Sequence, residues 1–310
     1  MAQHTKQQGH LALFISSIVF GLNIPVARTI IPDIVDPFLM TFLRMSGAAV
    51  LFWTASLFTK KEFVPKKDVL LFFFSAVFAI VVNQTFFIVG LSKTSPIDAS
   101  LVVTLSPIIT MLLAAIIIKE PVTWVKAVGV LIGASGALIL ILSSSHDEAG
   151  GNLIGNLFVL FSVTSYALYL TLFKNLISRY SAITSMKWMF LFASVLTFPM
   201  SYNAIAETDF AAFNTSVYLR IGFVVAMATF FTYMLIPIGQ KTLRPTTISM
   251  YNYLQPIAAS FLAVAIGMDR FGWDKIVSTV LVFTGVYIVT QSKSRVQLYK
   301  EKISESKKMK

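Results

Sequence analysis

The chain contains long apolar runs that carry no charged side chain. Five runs contain no Asp, Glu, Lys, Arg or His, at residues 69–91, 99–118, 153–173, 221–240 and 246–268. A bilayer core about 30 Å thick is crossed by about 20 helical residues, so each run is long enough to span it. We predict helices, because a membrane-spanning strand alternates polar and apolar residues over about ten positions.

Further runs contain one charge or a shorter apolar core, at residues 11–31, 37–58, 122–142, 183–200 and 271–291. The sequence therefore predicts an all-α membrane protein with ten transmembrane helices. Of the 310 residues, 56% are hydrophobic and 13% are charged, which is too apolar for a soluble protein. The first run is too long for a signal-peptide core, so we interpret it as a retained helix. The absence of cysteine excludes disulfides and thiolate chemistry.

The net charge of +11 is concentrated in alternate loops. Basic residues cluster at 59–68, 119–126, 174–179, 241–244 and 292–310, whereas the intervening loops are acidic or poor in basic residues. This alternation follows the positive-inside rule for an even number of helices. It predicts a multi-pass protein of the plasma (inner) membrane with both termini in the cytoplasm, and no nucleic-acid partner.

An internal repeat relates the two halves of the chain. A shift of 149 positions without a gap superposes several Gly, Pro and Trp residues, including Gly90 on Gly239, Pro107 on Pro256 and Trp124 on Trp273. These residue types determine turns, helix irregularities and interfacial anchors, so their shared register indicates a shared unit. We predict one five-helix repeat over residues 1–145, a second over 146–292 and a basic cytoplasmic tail over 293–310.

A unit with an odd number of crossings enters its second copy from the opposite side of the membrane. The two predicted halves are therefore inverted relative to each other, an architecture suited to alternating access in transporters. Duplication without transport, as in a scaffold or an intramembrane enzyme, is the competing interpretation.

The stretch GLSKTSPIDASLVVTLSPIITMLLAAIIIKEPVTWVKAVGVLIGASGALIL resembles the EamA repeat of the drug/metabolite transporter superfamily. The shared marks are a small residue and proline that open the fourth helix, an SP pair, a glutamate before a tryptophan-bearing turn, and a glycine-spaced fifth helix. The second half resembles the same repeat, with Asp269 in the glutamate position and Gln255 for Ser106. The resemblance implies transport of amino acids, other small metabolites or drugs, and it leaves the substrate open.

Polar and aromatic side chains inside the predicted helices are candidates for a substrate pathway, because polar groups are costly in lipid. The candidate substrate-binding residues are Asn23, Arg44, Asn83, Gln84, Ser106, Tyr166, Tyr169, Tyr233, Asn252 and Gln255. Asn252 and Gln255 share a helix face at i, i+3 and are the predicted main wall of the site. Pro25, Pro107 and Pro256 are candidate helix breaks or gating points, because proline removes a backbone hydrogen bond.

Several candidates also have a purely structural interpretation. Asn23 could bond a neighbouring helix. Arg44 and Lys187, its counterpart near an offset of 143, could extend to the membrane surface instead of facing a substrate. Tyr166 and Tyr169 could belong to an interfacial aromatic belt. The glycines of GVLIGASG are expected to serve contacts within one chain, so we predict a monomer or weak homodimer.

No Asp, Glu or His lies in the middle of a predicted helix, and no Walker A loop or HExxH motif occurs. Cation/proton antiport of the small multidrug type, ATP-driven pumping and metal-dependent hydrolysis are therefore disfavoured. We predict a transporter without enzymatic activity that exports amino acids or related small metabolites by alternating access, with no cofactor or metal. Drug or nucleoside efflux by the same fold is the alternative, followed by an intramembrane lipid-acting enzyme.

Overall fold

A computed structural model describes residues 5–31, 34–91, 93, 102–143, 153–265 and 272–293. All regular secondary structure within these ranges is helical. The α-helices are α1 (Lys6–Arg28), α2 (Pro37–Leu57), α3 (Lys66–Ala76), α4 (Asn83–Leu91), α5 (Ser106–Ile117), α6 (Trp124–Ser143), α7 (Leu153–Leu172), α8 (Lys174–Arg179), α9 (Ala182–Glu207), α10 (Thr215–Val225), α11 (Thr232–Thr242), α12 (Pro245–Met250), α13 (Leu254–Ala265) and α14 (Trp273–Gln291).

The helices have the length and composition that membrane crossing requires. Within the described residues, five stretches are long and apolar enough, namely Pro37–Leu57, Lys66–Gly90, Leu153–Leu172, Ala182–Glu207 and Thr215–Thr242. Shorter apolar helices cover Ser106–Ile117, Trp124–Ile139 and Ile276–Gln291. The prediction of an all-helical, multi-pass membrane protein is confirmed, and the number of ten spans stays a prediction.

Two π-helical turns occur at matching places in the halves of the chain. One, Val77–Val82, joins α3 to α4, and the other, Ala226–Phe231, joins α10 to α11. The second turn begins 149 positions after the first, which is the offset that superposes the sequence on itself. Such turns are rare and are found mostly at functional sites, so their recurrence extends the sequence repeat to backbone geometry.

The helix path near the three candidate prolines differs from one to the next. α1 continues through Pro25 to Arg28, so no break is seen there, because one missing backbone bond is tolerated in a packed helix. Pro107 lies in the first turn of α5. A 3-10 turn at Tyr251–Tyr253 divides the helical path between Pro245 and Ala265, just before the candidate break at Pro256. Pro256 cannot donate to the carbonyl of Asn252, and this accounts for the tighter turn.

Helices that correspond under the repeat pack against each other in antiparallel pairs. Between α2 and α9, Phe42 lies against Phe198 and Phe52 against Phe190, with ring centroids 5.7 Å and 5.5 Å apart. The residue number rises along α2 as it falls along α9, so the two helices run in opposite directions. The same holds for α6 and α14, which form the most extensive helix pair in the described chain.

Glycines bring α6 and α14 into backbone contact. A Cβ atom on Gly285 would lie 2.5 Å from the Gly133 nitrogen and 2.6 Å from the Gly129 oxygen. Neither neighbour can move as a side chain would, so only glycine fits at this crossing. The glycine ladder therefore serves a contact inside the chain.

The basic loops meet at one end of the helix bundle. Glu120 bonds Lys126 at 2.7 Å and lies 3.7 Å from Arg244, whose guanidinium donates to the Ser292 carbonyl at 2.8 Å. Both partners of the Glu120 and Lys126 pair are buried. Ion pairs and a hydrogen bond thereby join the turn before α6 to the turn before α12 and to the end of α14.

A second contact at this end joins the start of α3 to the segment after α7. Arg179 pairs with Asp68 at 3.0 Å, and Tyr180 donates its hydroxyl proton to the same carboxylate. Burial raises the pKa of Tyr180 to about 12, and the Asp68 carboxylate acts in the same direction, so the donor stays protonated. Lys174 donates to the Leu243 carbonyl at 2.6 Å and connects the two charged contacts.

We expect Gly285→Ala to destabilise the protein by about 1–3 kcal/mol, because the added methyl forces α6 and α14 apart. Gly222→Ala is the matched control, since a Cβ there meets nothing within 4 Å. Thermal unfolding in detergent micelles measures both. Equal midpoints for the two variants would contradict the close contact.

Candidate substrate pathway

Amide and hydroxyl side chains meet where α5 and α13 begin. Asn252 donates from Nδ2 to Ser106 Oγ at 3.4 Å, and Gln255 donates from Nε2 to Asn252 Oδ1 at 3.3 Å. Beside them, the Tyr253 hydroxyl donates to the Thr104 carbonyl at 2.8 Å. Asn252 and Gln255 are half-buried, so amide atoms that both donate and accept remain accessible to a small polar ligand.

Asn83 and Gln84 lie at the start of α4 and face α7. The Asn83 amide donates to both the carbonyl and the hydroxyl of Ser162 at 3.0 Å, and Ser162 donates back to the Asn83 carbonyl at 2.7 Å. Gln84 donates to Asn83 Oδ1 at 3.2 Å. The Asn83 amide thus links two helices, which is the expected use of an asparagine between apolar helices.

Three tyrosines line the next part of the helix interior. The rings of Tyr166 and Tyr169 lie 5.8 Å apart on α7, and the Tyr169 hydroxyl donates to Gln240 Oε1 at 3.0 Å. Tyr233 packs edge-on against Phe190 at 4.9 Å. Tyr169 and Tyr233 are 3% and 7% exposed, so they are buried among helices and do not form an interfacial belt.

Arg44 reaches from α2 to the π-helical turn of the second half. Its Nε donates to Thr229 Oγ1 at 3.1 Å, and its guanidinium lies close enough to Tyr233 to interact electrostatically. Lys187 has a different environment, because its ammonium lies 5.0 Å from the centre of the Trp53 ring. That distance permits a cation–π interaction.

Asn23 lies apart from the other candidates. Its Oδ1 is buried and accepts no hydrogen bond from the residues that the structure describes. Gly21, half a turn earlier, packs so closely on α13 that a Cβ would lie 2.5 Å from the Gln255 oxygen. Asn23 lies two positions further along α1 and so points away from this contact, and the side chain of Pro25 lies outside the described part of the structure.

Helix α7 connects two of these groups. Ser162, Tyr166 and Tyr169 follow at i, i+4 and i+7, which places them on one face of the helix. That face touches Asn83 at one end and Gln240 at the other. α5, which carries Ser106, packs against α7 as well. The candidates on α4, α5 and α7 thus border one interior region, while their hydrogen bonds form separate small groups.

An apolar cavity of about 420 Å³ lies elsewhere, between α1, α13 and α14. Its lining includes Leu22, Ile257, Phe261 and Phe283. None of the predicted substrate-binding residues is part of this lining, so the cavity and the polar groups are different places in the molecule.

A family model for EamA-like transporters matches residues 7–142 and 153–291. The chain belongs to this family. The resemblance to EamA-type members of the drug/metabolite transporter superfamily is thereby confirmed. This EamA-like protein is a membrane transporter, and its place in the family implies a small-molecule substrate.

Two of three similar proteins are described as transporters. An uncharacterized transporter of Archaeoglobus fulgidus is 24% identical over 83% of this chain and 90% of its own length. The uncharacterized transporter YcxC of Bacillus subtilis is 23% identical over 92% and 94%, respectively. A WAT1-related protein of Arabidopsis thaliana is 25% identical over 89% and 80%.

A solved crystal structure has the same fold as this EamA-like chain. It superposes with a TM-score of 0.77 over 92% of this chain and 98% of the other, at 16% sequence identity. At this identity the likeness concerns the fold alone.

Three residues of the pathway are not among the sequence candidates. Thr229 and Gln240 are buried partners of Arg44 and Tyr169, and Ser162 is the partner of Asn83. Each is a polar residue within a largely apolar helical stretch, which was a signal in the sequence. It was too common a signal to select them, since Ser and Thr can also bond their own helix backbone.

We expect Gln240→Leu to destabilise this transporter by about 1–3 kcal/mol, because the buried Tyr169 hydroxyl loses its acceptor. Adding Tyr169→Phe removes the orphaned hydroxyl and should recover most of the loss. A double-mutant cycle of thermal unfolding in detergent tests the pair. Additive effects of the two substitutions would contradict a direct hydrogen bond.

Proposed function

We propose that this transporter exports amino acids or closely related small metabolites across the plasma membrane by alternating access. It works as a monomer or weak homodimer. Residues 1–145 and 146–292 form two five-helix repeats in opposite orientations, ten spans in all. The substrate lies among the polar groups between them.

The hydrogen bond between Tyr253 and Thr104 is the observation that carries this proposal. The two residues are 149 positions apart, so they occupy equivalent places in the two repeats. Equivalent positions come into contact only close to the axis that relates the copies. The matching π-helical turns and the antiparallel pairs of equivalent helices support the same axis.

Two repeats of this kind have a direct mechanical consequence. Each half takes the conformation of the other, which exchanges an inward-open for an outward-open state of similar energy. The polar groups beside the axis stay close to the middle of the bundle in both states. A substrate bound there is exposed to one side of the membrane at a time.

The chemistry of the pathway supports a small polar substrate. Asn252, Gln255 and Gln84 carry amides that donate and accept, and the tyrosines add aromatic faces with hydroxyl groups. This mixture suits the amino and carboxylate groups of an amino acid better than an extended apolar drug. The outward direction follows from the family resemblance.

The proposed topology can be tested by cysteine labelling, because the natural chain contains no cysteine. We expect Lys61→Cys and Lys293→Cys to react from the cytoplasmic side only, since both belong to the basic segments that gather at one end of the bundle. Asp209→Cys should react from the outside only. Labelling of Lys61→Cys and Lys293→Cys from opposite faces would overturn the topology.

Transport is tested in proteoliposomes by uptake and counterflow of a panel of radiolabelled amino acids. For a transported compound, Asn252→Ala or Gln255→Ala should raise KM about 3- to 10-fold, which corresponds to one lost hydrogen bond. Asn203→Ala, at an exposed position of α9, is the matched control. Unchanged transport by both site variants would remove Asn252 and Gln255 from the site, and no saturable uptake of any amino acid would overturn the substrate class.

A further inference from the structure

Arg44 is a cation held inside a membrane-spanning helix. α2 begins at Pro37, so Arg44 lies two turns along the helix, about 10 Å from its start. An arginine in a transmembrane helix costs about 2.5–3.5 kcal/mol at the centre of the bilayer on insertion scales, and such residues face the interior or a cavity. Its charge therefore needs a specific partner.

The described protein supplies Arg44 with dipoles and no counter-charge. The Thr229 hydroxyl accepts from Nε and donates its own proton to the Val224 carbonyl at 2.8 Å, inside the π-helical turn. Among the residues that the structure describes, no Asp or Glu lies within 4 Å of the guanidinium. The hydrogen bond to fully buried Thr229 also holds the side chain toward the second half of the protein.

The corresponding cation of the other repeat has a partner. Lys187, near the equivalent position of α9, lies over the Trp53 ring, and this aromatic face stabilises its charge. Within the described residues, the charge of Lys187 thus has an aromatic partner, whereas Arg44 has a hydroxyl partner and no carboxylate. This difference makes Lys187 a matched control for Arg44.

The geometry points to Arg44 as the binding residue for the carboxylate of the transported metabolite. This inference rests on the proposed function, which it deepens by naming the substrate group. The Nε of Arg44 is engaged by Thr229, which leaves the Nη groups, and a guanidinium edge matches a carboxylate with two parallel hydrogen bonds. A carboxylate balances the single positive charge, whereas a phosphate dianion would leave a negative charge uncompensated.

The neighbouring side chains suit such a ligand. Tyr233 follows Thr229, the hydrogen-bond partner of Arg44, at i+4, and Tyr233 is within electrostatic range of both Arg44 and Tyr166. Arg44 itself is half-buried, so part of its side chain remains accessible. A carboxylate on Arg44 would therefore place the rest of the molecule along the tyrosines of α7 and α11.

The test is thermal unfolding of the full chain in detergent with the standard L-amino acids, their carboxamides and phenyl phosphate as probes. We expect at least one amino acid to raise the midpoint, while its carboxamide and phenyl phosphate do not. Arg44→Gln should remove this shift, with an affinity loss of about 10-fold or more. Arg44→Lys should retain part of the midpoint shift, because lysine keeps the positive charge but lacks the two parallel donors of the guanidinium. Lys187→Gln should leave the midpoint shift unchanged.

Unfolding without ligand gives a second measurement. Arg44→Gln should not lower the midpoint relative to the natural chain, since removing an uncompensated charge relieves a cost. If Arg44→Gln does not fold, the comparison of amino acids with carboxamides in the natural chain still tests whether a carboxylate is required, and Arg44→Lys tests whether Arg44 binds it.

The inference is overturned if carboxamides stabilise the protein as well as carboxylates, if no carboxylate shifts the midpoint, or if Arg44→Gln keeps the shift. Its failure is distinguishable from failure of the proposed function. Saturable transport that Arg44→Gln leaves unchanged would refute the carboxylate site and leave export standing. A carboxylate shift that requires Arg44, without transport in proteoliposomes, would refute export and leave the binding site standing.

Discussion

The hydrocarbon core of a bilayer offers no hydrogen-bond partner, and the rest of this structure follows from that constraint. Backbone groups are satisfied inside helices, and polar side chains find partners on neighbouring helices. Asn83 bonds Ser162 across a helix pair, and Tyr169 bonds Gln240. Among the described residues, no carboxylate pairs with Arg44, and the medium around it cannot solvate the charge.

Close packing of equivalent helices is the second determinant of the architecture. Gly133 and Gly285 let α6 and α14 meet backbone to backbone, and stacked aromatic rings join α2 to α9. Both pairs are antiparallel, and their positions in the two halves correspond. A charged network lies at one end of the bundle, where Glu120, Lys126 and Arg244 join separate loops.

Much of the fold could be predicted because its determinants are local or periodic. The long apolar runs indicate the helices, and the basic loops indicate where the helices end. The repeat offset of 149 positions reappears in the π-helical turns. The grouping of Ser106, Asn252 and Gln255 was also accessible, since the repeat aligns two of these residues at one depth. The 3-10 turn lies just before Pro256, one of the candidate helix breaks, but the continuous apolar run gave no indication of which residues would form the turn.

The sequence by itself determined that this chain crosses a membrane, that it consists of two related halves and that it belongs among EamA-like transporters. These properties depend on composition, period and motif, which a linear string contains in full. Only the tertiary structure decided which polar residues meet: Arg44 with Thr229, Tyr169 with Gln240 and Lys187 with Trp53. Those pairs depend on how each helix is rotated and how deeply it sits against its neighbours, and packing of the whole bundle sets both.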